Sequence, residues 1–160
     1  MRHVEIHAFV PDARAEEVFD KISDFQRYPD LVEIVRSVTV TTRDDGALLS
    51  TWGVLFRNGI LSWTEVDWLH RDQLKIDFVQ TEGDFDELSG GWVFEQREGG
   101  VSIVFYNDFD FGIPSLATII EPVAERVLTE TMQLIMKRLF EQATFPSGAL
   151  TPSLAGSRVA

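Results

Sequence analysis

The feature that most constrains this chain is its last long apolar-periodic run, residues 119–145. Ile120, Val123, Ala124, Val127, Leu128, Thr131, Leu134, Ile135, Arg138 and Leu139 recur there at three- and four-residue spacing. Glu121, Glu125, Glu130, Gln133 and Lys137 fill much of the remaining surface. That period predicts one amphipathic helix of about seven turns, starting near residues 115–118. Pro122 fits it if the proline lies in the first turn, where a missing N–H costs little. A lone helix with one broad apolar face must bury that face, and most of the preceding chain alternates like strand.

The first strand spans residues 3–10 and stops at Pro11-Asp12. Asp12 is placed to cap a short helix over 13–22, with Ala15, Val18, Phe19 and Ile22 on one face. Asp24 starts a further short turn containing Phe25 and Tyr28, and Pro29-Asp30 ends it. Strands follow at 34–42, 48–56, 60–69, 74–80, 85–96 and 101–111, separated by turn signals that include Asp44-Asp45-Gly46 and Arg57-Asn58-Gly59. Gly90-Gly91 marks a bulge or a close approach of backbones. The expected class is α+β. A curved antiparallel seven-stranded sheet wraps the long C-terminal helix, with two short helices after strand one. Residues 1–145 form a single domain, and 146–160, rich in Pro, Gly, Ser and Ala, form a flexible C-terminal tail.

Composition narrows the function. A formal charge of −12, from 26 acidic and 14 basic residues, argues against nucleic acid or an anionic membrane as the main partner. With no cysteine there is no disulfide and no thiolate chemistry. No basic-then-apolar leader opens the chain and no apolar run reaches ~18 residues, so a cytoplasmic protein without stable membrane insertion is the expectation.

The pattern with most chemistry in it is Trp63, Glu65 and Asp67. Alternate residues of a strand share a face, and the bulk of Trp63 points that face inward. Two carboxyls on one cavity wall push one pKa up, placing an acid beside a base. The competing arrangement turns the strand so that both acids meet water and Val66 and Trp68 face inward. Phe105, Asn107, Phe109 and Phe111 share a second inward face, where the Asn107 amide can donate to an enolate oxygen or satisfy a backbone group. Trp52, Trp63, Trp92, Phe105 and Phe109 are the expected aromatic substrate contacts. Arg138, on or beside the helix's apolar face, is placed either to meet a cavity carboxylate or to reach out to water. His3 and His7 share a strand face without an evident third ligand, so no metal and no cofactor are expected.

The order β–α–α–β6–α resembles the helix-grip fold of the START-like (SRPBCC) superfamily, in particular its small polyketide cyclase, aromatase and dehydratase group, related to coenzyme Q-binding proteins. The resemblance rests on Met1-Arg2-His3-Val4-Glu5, on Val18-Phe19 through Tyr28-Pro29-Asp30-Leu31, and on Ser62-Trp63-Thr64, Gly90-Gly91-Trp92 and Asn107-Asp108-Phe109. It implies an elongated internal cavity between sheet and helix. It also implies a cavity arginine a short way past the strand-four tryptophan and, in some members, a histidine before the last-strand Asp-Phe pair. Here those positions hold Val66 or Asp67, and Asn107. The expected function is cyclisation or dehydration, with aromatisation a further outcome, of a polyketide-like substrate by carboxylate acid/base chemistry. Glu65, Asp67 and Asn107 are its catalytic group. The resemblance also brings in an acyl carrier protein as donor, for which Arg27, Arg36, Arg57 and Arg71 are the basic landing candidates. One rival is non-catalytic binding or transfer of an isoprenoid or lipid ligand, which predicts carboxylates outside an apolar pocket. Another is a protein-interaction module with a filled interior.

Overall fold

The computed structural model describes residues 1–146, with side chains at all but 116 and 117. The tail expected beyond residue 146 lies outside the described residues. Seven strands form one antiparallel sheet: β1 (Arg2–Pro11), β2 (Val35–Thr42), β3 (Leu48–Phe56), β4 (Gly59–His70), β5 (Lys75–Gly83), β6 (Glu87–Arg97) and β7 (Gly100–Asp110). Their spatial order is β1-β7-β6-β5-β4-β3-β2. The strands from β2 to β7 thus form a meander, and β1 returns beside the last. Helices α1 (Ala15–Ile22) and α2 (Tyr28–Leu31) follow β1, joined by a 3-10 turn at Phe25–Arg27. The long helix α3 (Pro114–Leu139) closes the fold, and the expected α+β helix-grip architecture is the one observed.

Helix α3 buries Ala124, Leu128, Met132, Ile135 and Met136, whose spacing returns to one face every turn. Each such side chain contributes about 1.5–3 kcal/mol when fully removed from water. Thr131 is buried on the same face, and Val127 and Leu139 pack partly buried against the core, but the outer part of the run departs from expectation. Leu134 is 39% exposed, Ile119 61%, and Arg138 is also on the outside. The helix begins at Pro114 and stops at Leu139, so Pro122 lies well inside it. Lacking an N–H, Pro122 leaves the Thr118 carbonyl without its intrahelical donor. Past Leu139 the apolar residues continue but the helix does not. Lys137 Nζ donates to the carbonyls of Glu141 (3.2 Å) and Ala143 (2.9 Å). Thr144 then pairs with Phe9 through two backbone hydrogen bonds of 2.9 Å, fixing the chain against the outer edge of β1.

The short helices are capped differently from the sequence expectation. Asp12 takes a left-handed backbone (φ 54°) and caps nothing. The Ala15 N–H is instead met by Oε1 of Gln96 on β6 at 2.8 Å, while Gln96 Nε2 donates to the Ala13 and Gly100 carbonyls. Asp24 sits at the start of the 3-10 turn without a side-chain cap. Pro29 opens α2 rather than ending a helix, in keeping with its tolerance in a first turn. Through this insertion Phe25 and Tyr28 become fully buried beside Trp52, at ring-centroid distances of 5.6 and 5.5 Å.

Candidate active site

The hairpin between β3 and β4 sets the site. Its register pairs Trp52 with Trp63, Ser50 with Glu65 and Leu48 with Asp67. Trp63, Glu65 and Asp67 all point into the fold: Glu65 is 4% exposed and Asp67 0%. The two indoles stack at 5.8 Å and 3°. Each then serves a polar neighbour two residues along its own strand. Trp63 Nε1 donates to Glu65 Oε1 at 2.8 Å, and Trp52 Nε1 donates to Ser50 Oγ at 2.9 Å. Ser50 Oγ in turn donates to Asp67 Oδ2 at 2.5 Å.

Removal from water favours the neutral form of a carboxyl, and two adjacent carboxyls resist a second negative charge. Burial holds Glu65 well above its usual carboxylate range, helped by its hydrogen bond to Asp67 and by the Asp67 charge; the Trp63 N–H works the other way. Burial also raises Asp67, against the hydrogen bonds from Glu65 and Ser50 that stabilise its charge. Both carboxyls are therefore pushed toward their protonated forms, and as neighbours they titrate as a pair. Asp67 Oδ1 is a buried oxygen without a hydrogen-bond partner. The Tyr28 phenol is pushed well up by burial, then by Asp67, Glu65 and Asp24; its O–H donates to the Ile22 carbonyl at 2.5 Å.

Above this pair lies a cavity of about 30 Å³ between sheet and α3, walled by Trp52, Trp63, Glu65, Phe78, Trp92, Phe105 and Asn107, with Phe25, Tyr28 and Leu88 around it and Leu128 and Met132 on the helix side. A water needs at least ~10–15 Å³ of such space, so the cavity as it stands holds roughly two. Asn107 is 3% exposed and its Oδ1 has no hydrogen-bond partner. It lies opposite Gly90 in the β6–β7 register. A Cβ on Gly90 would collide with the Tyr106 carbonyl oxygen and come within 2.8 Å of Asn107 Cα, so the glycine lets β7 seat Asn107 here.

Of the residues expected from sequence, Glu65, Asn107, Trp52, Trp63, Trp92 and Phe105 meet on the cavity wall. Three do not. Asp67 faces inward but sits behind Glu65, tied to Ser50. Phe109 is fully buried against Phe85 (5.5 Å) and Phe111 (5.9 Å). Arg138 lies outside, its Nε 3.3 Å from the Leu31 carbonyl, and meets neither cavity carboxyl. Ser50 was missed, although the Arg57-Asn58-Gly59 turn fixes a register that sets it opposite Glu65. Tyr28 and Phe25 carry no comparable signal, since only the path of the α1–α2 insertion brings them in. Away from the cavity, His3 and His7 both hydrogen-bond Glu5 on the exposed side of β1. Among the described residues no group of three His, Cys, Asp or Glu is placed to hold a metal, and no helix is long and apolar enough to cross a membrane.

Comparison with known proteins agrees with this architecture. No curated protein matches the sequence. Among solved structures, TTHA0849 from Thermus thermophilus superposes with a TM-score of 0.77 at 23% identity, covering 88% of this chain and 96% of that one. The ZhuI aromatase/cyclase from Streptomyces sp. R1128 gives 0.75 at 19%, covering 88% and 92%. A START superfamily protein from Mycobacterium smegmatis gives 0.69 at 17%, covering 87% and 94%. At these identities the likeness is one of fold. Residues 11–135 match the profile of the family described as polyketide cyclase / dehydrase and lipid transport, and the chain belongs to that family.

Proposed function

We propose that the protein cyclises or dehydrates a polyketide-like carbonyl compound in this cavity, with Glu65 as the acid that touches substrate and Asp67 acting through it. The supporting observation is the buried Glu65–Asp67 pair, with Glu65 on a cavity wall shared with Asn107 and both carboxyls raised by burial. In dehydration of a β-hydroxy ketone, the α C–H bond breaks and its proton enters the pair. The C–O bond then breaks, and the Glu65 proton leaves with the hydroxyl as water. The pair ends as it began, and the Asn107 amide donates to the ketone oxygen while negative charge builds there. The aromatic wall holds the chain folded, so that ring closure becomes effectively unimolecular.

At about 30 Å³ the cavity takes no extended chain unless side chains on α3 move aside. Met132 is the adaptable one, being unbranched and polarisable. A carrier of purely apolar lipids has no use for a buried carboxyl on its wall, which favours the catalytic reading. For delivery by an acyl carrier protein, Arg27, Arg36 and Arg57 are exposed, whereas Arg71 is already held by Asp20 at 2.8 and 3.0 Å.

The test is turnover of a short β-hydroxy or poly-β-keto thioester followed by mass spectrometry. Loss of water faster than in buffer is expected, falling by about 10²–10⁴-fold in Glu65→Gln, the usual worth of a positioned acid or base. Equal rates in the wild type and Glu65→Gln would remove the proposed acid.

A further inference from the structure

Two carboxyls are buried at this cavity, Glu65 on its wall and Asp67 behind it, and no cation in their surroundings answers them. No Lys, Arg or His stands on its wall, and among the described residues none comes within ion-pair reach of Glu65 or Asp67. Buried charges are ordinarily paired, because an unpaired one costs several kcal/mol. Beside Glu65 is an unpartnered buried acceptor, Asn107 Oδ1. Around both stand π-faces: the Trp52–Trp63 stack, and Trp92 with Phe105 at 4.6 Å. The missing complement must bring hydrogen-bond donors and positive charge, and must gain from lying against aromatic rings. A neutral carbonyl or hydroxyl group supplies at most one of these. An ammonium group supplies all three, since its N–H bonds donate and the negative faces of aromatic rings attract its charge. Its head is about the size of a water, and about 30 Å³ is open for it.

We propose that this cavity takes a compact organic amine, bound as its ammonium with the head against Glu65 and Asn107 and its apolar body among the tryptophans. The proposal rests on the cavity being the ligand site and narrows the carbonyl substrate above to one bearing a basic amine. The amine's proton stays on nitrogen, and no bond to it forms or breaks.

Three probes of one shape but different charge test it on the full chain at near-neutral pH: benzylamine, benzyl alcohol and benzoate. Binding is read by calorimetry and by the indole N–H resonances of Trp52 and Trp63. Benzylamine is expected to bind at least ~10-fold more tightly than benzyl alcohol and to shift both indole signals, with benzoate weakest. In Glu65→Gln/Asp67→Asn the ratio of benzylamine to benzyl alcohol affinity should fall to about one. If that variant fails to fold, the wild-type indole shifts and affinity ratio decide alone. Benzyl alcohol binding as well as benzylamine, or an amine preference that survives in a folded double variant, overturns the amine class and leaves the cavity a ligand site. No binding by any probe overturns both the amine class and the reading of the cavity on which the proposed function stands.

Discussion

A shared buried proton has a direct thermodynamic signature in the pH dependence of folding. Glu65 holds its proton in the folded protein above the 4.5 at which an ordinary glutamate releases it. From that pH upward the folded state binds more protons than the unfolded chain, and stability falls until the folded pair lets go. One proton corresponds to about 1.4 kcal/mol per pH unit, so above pH 4.5 the wild type should lose stability at up to about that slope until the folded pair releases its proton. Asp67, also raised by burial, acts in the same direction above its ordinary 3.8, and the other shifted groups act differently. His3 is raised by Glu5 and Asp108, and its contribution is present below 6.5 and lost only as pH rises past it. The lowered carboxyls of Glu5, Asp20 and Asp110 contribute above ordinary values of 4.5, 3.8 and 3.8, and lose their effect as pH falls. Self-repulsion from a net charge of −12 acts on wild type and variant alike. In Glu65→Gln the amide still donates toward Asp67 and still accepts from Trp63, but it binds no titratable proton. Urea unfolding of both proteins across this range is the assay, and their difference in slope isolates the proton. Parallel slopes would refute the argument.

Three further outcomes follow from the same geometry. Trp63→Phe removes the donor to Glu65 Oε1 and leaves a buried oxygen unpaired; it should cost about 1–3 kcal/mol in urea unfolding and raise the Glu65 titration further. Gly90→Ala forces a Cβ onto the β7 backbone at Tyr106 and Asn107; a loss of about 1–3 kcal/mol and displaced Asn107 amide signals in NMR are expected. Arg138→Ala, on the outer side of α3, should leave the affinity for any cavity ligand unchanged in calorimetry; a marked loss would place the arginine in the site after all.

The architecture was legible because each of its parts has a local cause. Turn residues at Asp44-Asp45-Gly46 and Arg57-Asn58-Gly59 divide the meander, and one long 3.6-residue period requires a sheet to cover it. The alternation that put Trp63, Glu65 and Asp67 on one inward face held. Local pattern could not reveal where that face meets the cavity. Asp67 shares the face but stands behind Glu65, a distinction set by depth rather than period. The end of α3 was hidden because Phe140 and Ala143 continue the apolar pattern in a turn rather than a helix, and both are buried. Asp12 looked like a cap because caps are read from neighbours in sequence, whereas Gln96 reaches Ala15 from β6 across the fold. Cavity volume is the least legible property of all. It is the remainder after Phe25, Tyr28, Leu128 and Met132 have packed from three different elements.

The central claim is that Glu65 and Asp67 hold one proton between them inside the fold. Carboxyl carbon-13 NMR, with Glu65 and Asp67 assigned through Glu65→Gln and Asp67→Asn, observes that proton directly. The account predicts that Glu65 remains protonated well above 4.5 and that titration of one residue moves the signal of its neighbour. Two independent titrations at ordinary carboxylate values, each unaffected by loss of the other residue, would contradict it.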